Sequence, residues 1–466
     1  MSSPPIRTSS HYAWLLVFVL FCASVVSYLD RNILSLFVGP IRSELALSDV
    51  QISLLQGLAF ALFYAVMGLP FGRLVDRRSR KNIVAIGIVL WSFMTICCGL
   101  STNFWQLFFA RMGVGIGEAC LAPAAFSMIA DSFPRQQRGR AIAAYNMSNF
   151  MGVGASLVFG GLVISMLAKV REMGWLDLSS IQTWRLVFVI SALPGLLISF
   201  FVFALKEPQR REVMHSPADS TTREVRLLPY LRRHKGAFAS VFLVYMLTAM
   251  VGYIIVAWAP SFYMRHFGMP AASVGLTMGA MTIATGVSGC LLGGVVSDKL
   301  AAGGTVGGRF RIPLVWWPLG VVAIVGMTQV ANVTVSFACL GLLTFSSALA
   351  FSSAQAVIQD VVPNQIRGQA TALYFIFVGI IGLSMGPTAV ALVTEHVLGD
   401  SKLLGNSLVI VVVPIAFVGF VACVAGQRSY QKAKREMADA LATNFGDSAS
   451  STDRLDVGQP RAAEQA

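Results

Sequence analysis

The sequence predicts an all-α membrane protein in which twelve transmembrane helices form two pseudo-symmetric six-helix bundles. Three observations predict it. The 466-residue chain is 56% hydrophobic and only 12% charged, about half the ~25% charge of a soluble domain, so lipid must cover much of its surface. Apolar stretches near the ~20 residues that a bilayer core requires recur twelve times. Two motifs also repeat at nearly one offset. Asp131, Pro134, Arg138, Gly139 and Ala141 spell D-x2-P-x3-R-G-x-A, as do Asp360, Pro363, Arg367, Gly368 and Ala370, at 360 − 131 = 229. Gly72 with Asp76 and Arg77 is echoed by Gly294 with Asp298 and Lys299, at 298 − 76 = 222. A shared offset in a hydrophobic chain marks a duplicated bundle.

The first six spans are read at 12–38, 51–71, 82–100, 104–131, 139–168 and 184–205, where apolar runs end at Pro, Gly or charge. A basic, proline-containing linker follows at 206–236. Its later part, Val225 to Arg233, alternates apolar and basic residues and suits a membrane surface. The second six are read at 237–264, 271–297, 311–330, 333–360, 367–395 and 404–426. The polar segment 428–466 reads as a disordered tail. The units are therefore 1–205, 206–236, 237–427 and 428–466. Gly152, Gly154, Gly160 and Gly161 on span 5, and Gly379, Gly382 and Gly386 on span 11, are expected to share a role where the bundles meet.

The net charge is +13, and the basic residues crowd alternate loops, from Arg73–Lys81 through Arg135–Arg140 and 206–235 to Arg428–Arg435. The positive-inside bias makes that side cytoplasmic, with both termini inside and the protein in the inner (plasma) membrane. Charges lying between apolar spans are explained by topology, so no nucleic-acid partner is expected. The seven cysteines lie in apolar runs without metal-ligand spacing and read as packing residues, so neither a metal nor any other cofactor is expected. The chain is expected to act as a monomer with membrane lipid, protons and a small amphiphilic or anionic solute as its partners.

Four formal charges sit deep in apolar spans: Asp30 and Arg31 on span 1, Arg111 and Glu118 on span 4. Each costs about 2.5–3.5 kcal/mol to place at mid-membrane, so two cations and two anions are expected to neutralise one another. Arg111 and Glu118 are two helical turns apart and share a face, whereas Asp30 and Arg31 point about 100° apart. The expected arrangement joins Asp30 to Arg111 and lets Glu118 choose between Arg31 and a proton. Desolvation favours the protonated carboxyl and a neighbouring arginine the ionised one, so such a group can couple a proton to movement. The bland alternative is a static clamp between spans 1 and 4, but buried ion pairs are poor fasteners compared with apolar packing. No histidine lies at mid-membrane. In the second bundle the candidate cavity lining is Tyr245, Tyr253, Trp258, Gln355, Tyr374 and Phe377. One charged half and one apolar half suit an amphiphile with a charged head.

The loop Gly72 to Lys81 reads as a conformational latch. Asp76 can sit at the N-terminus of a helix from the other half, with Gly72 allowing close approach, Arg77 beside it and Arg80 pairing with Asp131. Arg138, Asp298, Asp360 and Arg367 complete the set through the repeat. Contacts made only while one side is closed bias the conformational equilibrium.

The loop pattern G-x3-D-R-R-x-R-K is similar to the signature of the major facilitator superfamily, and the twelve-helix duplicated plan resembles that fold. Tyr28-Leu-Asp30-Arg31, Arg111 through Gly117-Glu118-Ala119 with Pro123, and Ile129-Ala-Asp131-Ser-Phe133 resemble its spinster-type branch. The resemblance implies Asp30 and Glu118 as proton-sensitive carboxylates with Arg31 and Arg111 as partners, and lysophospholipids or phosphorylated sphingoid lipids as cargo. The segment Pro134 to Arg140 is closer to organic-anion/proton symporters. The expected activity is proton-coupled secondary transport of an amphiphilic or anionic solute by alternating access. A carboxylate symporter and a multidrug efflux antiporter are the alternatives. A channel would show flux without a proton gradient. An embedded enzyme is disfavoured, since the chain has no H-E-x-x-H, G-x-S-x-G or Walker loop.

Overall fold

The structure, a computed structural model, describes residues 10–174, 181–210, 227–302, 307–363 and 366–455. Among them twelve helices are long and apolar enough to cross a membrane. Spans 1 to 6 are His11–Leu36, Asp49–Gly68, Arg80–Leu100, Phe104–Ser132, Gln137–Met173 and Thr183–Ala204. Spans 7 to 12 are Lys235–His266, Ala271–Ala302, Gly308–Gln329, Val333–Asp360, Arg367–Leu398 and Ser401–Met437. Large apolar side chains such as Ile86, Phe200, Val315 and Phe417 lie exposed on spans 3, 6, 9 and 12. An apolar exterior of this kind belongs in lipid.

The duplication read from the motifs is a duplication of packing. Span 1 packs on 5 as 7 packs on 11, span 2 on 4 as 8 on 10, and span 3 on 6 as 9 on 12. Spans 5 and 8, and spans 2 and 11, then join the two bundles. Span 5 meets span 8 backbone to backbone: a Cβ on Gly154 would come within 2.7 Å of the Gly279 carbonyl, and one on Gly279 within 2.6 Å of the Gly154 carbonyl. Gly161 is held as closely by Ala272. Gly152 and Gly160 instead face Tyr28 and Leu36 of their own bundle, Gly382 and Gly386 face Met250, and Gly379 has nothing within 4 Å. The interface glycines are thus shared between spans 5 and 8 rather than between 5 and 11.

Several spans break within their length for local reasons. The span 1 α-helix ends at Asn32 and continues as a buried 3-10 turn, Ile33–Leu36. Span 2 starts on a capping box, with Gln51 N–H donating to Ser48 Oγ at 3.1 Å and Ser48 N–H to Gln51 Oε1 at 2.9 Å. It is interrupted at Gly57 before resuming over Leu58–Arg77. Span 4 breaks at Ala119–Cys120, four residues before Pro123, whose ring crowds the i−4 carbonyl. Span 11 widens into π-type turns at Val378–Met385. Pro387 offers no N–H there, and a Cβ on Gly57 would lie 2.5 Å from the Leu383 carbonyl.

One expectation changes. The segment after Gln427, expected to be disordered, continues the span 12 helix to Leu455. Tyr430 and Ala433 are buried, because this extension packs against the end of span 10. In the linker, a short helix, Leu227–Arg233, donates from the Tyr230 hydroxyl to the Val361 carbonyl at 3.0 Å, and residues 211–226 lie outside the described residues.

Candidate functional site

All four deep charges of the first bundle meet where spans 1, 2 and 4 break; Arg31 and Glu118 pair as expected, whereas Arg111 and the Asp30 carboxylate do not. Arg31 Nη2 donates to Glu118 Oε2 at 2.7 Å, and Ser27 Oγ donates to the same oxygen at 2.6 Å. Glu118 Oε1 and Arg31 Nε are buried without a hydrogen-bond partner among the described residues. The Arg31 guanidinium lies over three rings, 4.2 Å from Phe60, 4.9 Å from Tyr28 and 5.2 Å from Tyr64. Such faces hold a cation without neutralising it. Tyr28 is tied to span 5 by a short hydrogen bond to Asn149.

Arg111 does not bond the Asp30 carboxylate. Its fully buried guanidinium donates to three carbonyls, Asp30 at 3.0 Å, Arg31 at 3.0 Å and Leu55 at 3.2 Å. The reason is that a helix leaves its last four carbonyls without donors. Asp30 and Arg31 end the span 1 helix, and Leu55 ends the first part of span 2. Arg111 caps both ends at once and acts on Asp30 only through space. Among the described residues neither Asp30 carboxylate oxygen has a close hydrogen-bond partner, and Trp91 of span 3 and Ser191 of span 6 are the neutral polar groups acting on it. The two acids therefore occupy different surroundings.

Of the six second-bundle candidates, Tyr253 is the one in the electrostatic neighbourhood of Arg31, Tyr28 and Tyr64. Tyr245 is buried with its hydroxyl 2.9 Å from Ser353 Oγ, and Trp258 is buried with Nε1 donating to the Pro387 carbonyl at 2.9 Å. Tyr374 is buried, Gln355 half-buried, and Phe377 exposed with its ring 6.4 Å from Phe242. These contacts stay within the second bundle.

At the basic end, every described ion pair joins residues of one bundle. Buried Arg80 pairs with Asp131, donates Nε to Glu207 Oε1 at 3.0 Å and Nη1 to Ser127 Oγ at 3.0 Å, and reaches the Pro208 carbonyl. In the second bundle Arg309 donates to Asp360 at 3.0 Å and Asp298 at 3.1 Å, while Tyr430 and Lys434 also bond Asp360. Arg309 is the counterpart of Arg80, since 309 − 80 = 229 matches the offset of Asp360 from Asp131. Sequence reasoning missed it because eleven residues separate Asp298 from Arg309, where four separate Asp76 from Arg80. Asp76 and Arg77 are exposed, and Gly72 has nothing within 4 Å of its Cβ position. Arg138 Nε donates to the Phe133 carbonyl and Arg367 Nη2 to the Gln359 carbonyl.

Glu207, just beyond span 6, carries a pH dependence. Burial alone would raise its carboxyl, but donors from Ser79, the Arg80 backbone and guanidinium, and the Lys81 backbone outweigh it and hold it below the ordinary 4.5. A depressed value stabilises the fold above the ordinary one and loses that contribution as pH falls through the shifted value. Glu207→Gln is expected to lower the melting temperature at neutral pH, with the two melting curves converging as acidification protonates Glu207 in the folded protein; curves separated equally at all pH values would contradict this.

At the other, sparsely charged end, the bundles are bonded to each other. Arg265 of span 7 grips Asp49 of span 2 through two hydrogen bonds of 2.9 Å, with Arg42 3.4 Å away. The Val50 N–H donates to Glu395, Ser53 to Thr388, and Gln56 to the Ala257 carbonyl. The only hint in the sequence was a charge on an end otherwise poor in charge. Removing the Asp49 charge weakens hydrogen bonds of about 1.5–3 kcal/mol. Asp49→Asn is therefore expected to speed labelling of a cysteine placed at position 53, from that side and in a cysteine-free background, by about tenfold. Unchanged labelling would remove this contact as a gate.

Residues 20–387 match the profile of the Major Facilitator Superfamily. The chain belongs to that superfamily. It is 30% identical to an MFS-type efflux pump of Mycolicibacterium smegmatis over 425 residues, 89% of this chain and 92% of that one. It is 29% identical to a probable L-galactonate transporter of Escherichia coli, over 61% of this chain and 62% of the relative. Its structure resembles that of a bacterial homologue of the human lysosomal transporter Spinster in an inward-facing, unoccupied conformation. That match has a TM-score of 0.73 and 25% identity, over 92% of this chain and 98% of that one. The spinster-type resemblance read from the motifs is thereby shown.

Proposed function

We propose that the protein is a proton-coupled secondary transporter that moves an anionic, amphiphilic or carboxylate-bearing organic solute by alternating access. The carrying observation is the Arg31–Glu118 pair, in which the arginine keeps an unpartnered Nε and the acid an unpartnered Oε1. An anionic group drawn to Arg31 competes with Glu118 for the guanidinium. Once released from the cation, the buried carboxyl is held by Ser27 and accepts a proton. Solute and proton thus bind together, with Asp30 as a second carboxyl in the same bundle. The rings around Arg31, with Tyr253 facing it, suit the apolar body of an amphiphile. The described bonds between bundles lie at the sparsely charged end, so the basic end, proposed to be cytoplasmic, is proposed to be the one that opens. When that end closes, the latch residues around Asp76 are proposed to meet the second bundle. The efflux relative favours a second reading, export of the same class of solute against inward proton flow.

The test is a thermal-shift screen of lysophospholipids, sphingoid bases, aromatic acids and sugar acids on purified protein. It is followed by flux of the stabilising compound into proteoliposomes with and without a pH gradient. Flux indifferent to the gradient would discard proton coupling, and stabilisation by cations alone would discard the anion site.

A further inference from the structure

Glu118 is 1% exposed, so a proton leaving it needs carriers. Its described hydrogen-bond donors are Arg31 and Ser27, and an arginine does not give up a proton. Ser27 opens onto a series of hydroxyls. Ser24 lies one turn nearer the basic end on the same face of span 1. Ser24 Oγ is 2.7 Å from Ser148 Oγ of span 5. Tyr145 lies one turn nearer the basic end on span 5, on the same face as Ser148, and beside Ser24. All four are buried, while Asn146 and Asn149 beside them are half-exposed.

Hydroxyls in membrane helices ordinarily turn back to a carbonyl of the preceding turn. Thr95, Ser165, Thr248 and Thr328 do so here. The described bonds of Ser24, Ser27 and Ser148 run across helices to other side chains instead. Where hydroxyls pair across spans elsewhere, as Tyr263 with Ser336 and Tyr245 with Ser353, the serine also bonds a carbonyl. The series beneath Glu118 has its donors and acceptors left for one another. Between Ser27 and Ser24 the Cβ atoms of an i, i+3 pair stand about 5–6 Å apart, the size of gap that a single bridging water spans.

We propose that Ser27, Ser24, Ser148 and Tyr145 form the proton path from Glu118 toward the basic end, with Ser27 as its first carrier. The inference rests on the reading of Glu118 as the proton-carrying acid. In each transfer the Glu118 O–H proton passes to Ser27 Oγ as Ser27 passes its own hydroxyl proton to the bridging water. That water hands a proton to Ser24, which passes its own to Ser148 or Tyr145. Every hydroxyl ends as it began, one proton leaves at the basic end, and Glu118 is left a carboxylate facing Arg31, the arrangement seen in the structure. The titratable and charged groups acting on Glu118 or answering to its charge are Arg31 and Asp30 of span 1, Tyr64 of span 2, and Arg111 and Cys120 of span 4. None of them belongs to this series.

The test uses the full chain in lipid, with infrared difference spectra recorded after a pH jump. The protonated-carboxyl band missing from Glu118→Gln reports Glu118, and its rate of decay reports the path. Ser27→Ala is expected to slow the decay by at least about tenfold, as loss of a proton carrier does. Ser27→Thr, which keeps the hydroxyl, should restore it, and Ser24→Ala and Ser148→Ala should slow it as well. A role confined to packing or to the energy of Glu118 would move the midpoint pH without slowing the decay. Wild-type decay in Ser27→Ala, with the band absent from Glu118→Gln, would overturn the path and leave the function standing. A band that survives Glu118→Gln with its pH profile intact would overturn both. If Ser27→Ala fails to fold, normal decay in Ser24→Ala and Ser148→Ala overturns the path.

Discussion

Replacing Glu118 by Gln is expected to reduce pH-gradient-driven accumulation to simple equilibration. With one proton per solute, each pH unit supplies about 1.4 kcal/mol and about tenfold accumulation, so across two units the wild type and the variant should differ by about a hundredfold. Glutamine keeps the shape of the side chain, and its carbonyl oxygen still accepts from Ser27 and Arg31, the two donors seen at 2.6 and 2.7 Å. What it loses is the ability to take up and release a proton. Exchange of solute for solute, which needs no net proton movement, should survive. Counterflow and driven uptake measured on the same proteoliposomes separate the two, with size-exclusion profiles confirming the fold. Accumulation at the wild-type level would end the coupling role of this residue.

Replacing Arg111 by Ala is expected to produce the largest loss of stability. The side chain is fully buried and satisfies the Asp30, Arg31 and Leu55 carbonyls. Each buried carbonyl left without a donor costs about 1–3 kcal/mol. Three of them, discounted for local rearrangement, put the loss at about 3–5 kcal/mol, the range found when one member of a buried polar pair is removed. Thermal melts in detergent should show this drop for Arg111→Ala and a smaller one for Arg111→Lys, whose single ammonium cannot match a planar fork aimed at three acceptors. Glu118→Gln, whose carbonyl still accepts from Ser27 and Arg31, should lose less than Arg111→Ala in the same assay. A wild-type melt for Arg111→Ala would mean the two helix ends do not depend on this cap.

The two predictions divide the roles that the sequence had assigned jointly to four charges. Charge balance made the Arg31–Glu118 pair legible, because a cation and an anion at matching depth in lipid have few other solutions. It did not make Arg111 legible. The partner of Arg111 depends on where spans 1 and 2 stop being helical. Gly57 hints at the second break, but nothing in Arg31-Asn32-Ile33 announces the first. The grip of Arg265 on Asp49 was equally out of reach, because 216 residues separate them and neither carries a motif. In the second bundle the aromatic candidates were named without their rotation about the helix axis. Packing then turned Tyr245 and Trp258 inward and left Tyr253 facing the charges.

Span number, order and duplication were decided by the sequence alone. Whether a segment enters lipid depends on its own length and apolar content, and the repeat offset shows which segments correspond. Only the tertiary structure decided which acceptor each buried charge takes and which end of the molecule is clasped. Those choices follow from carbonyls left open at helix breaks and from side chains brought together across spans. Neither exists until the bundles have packed.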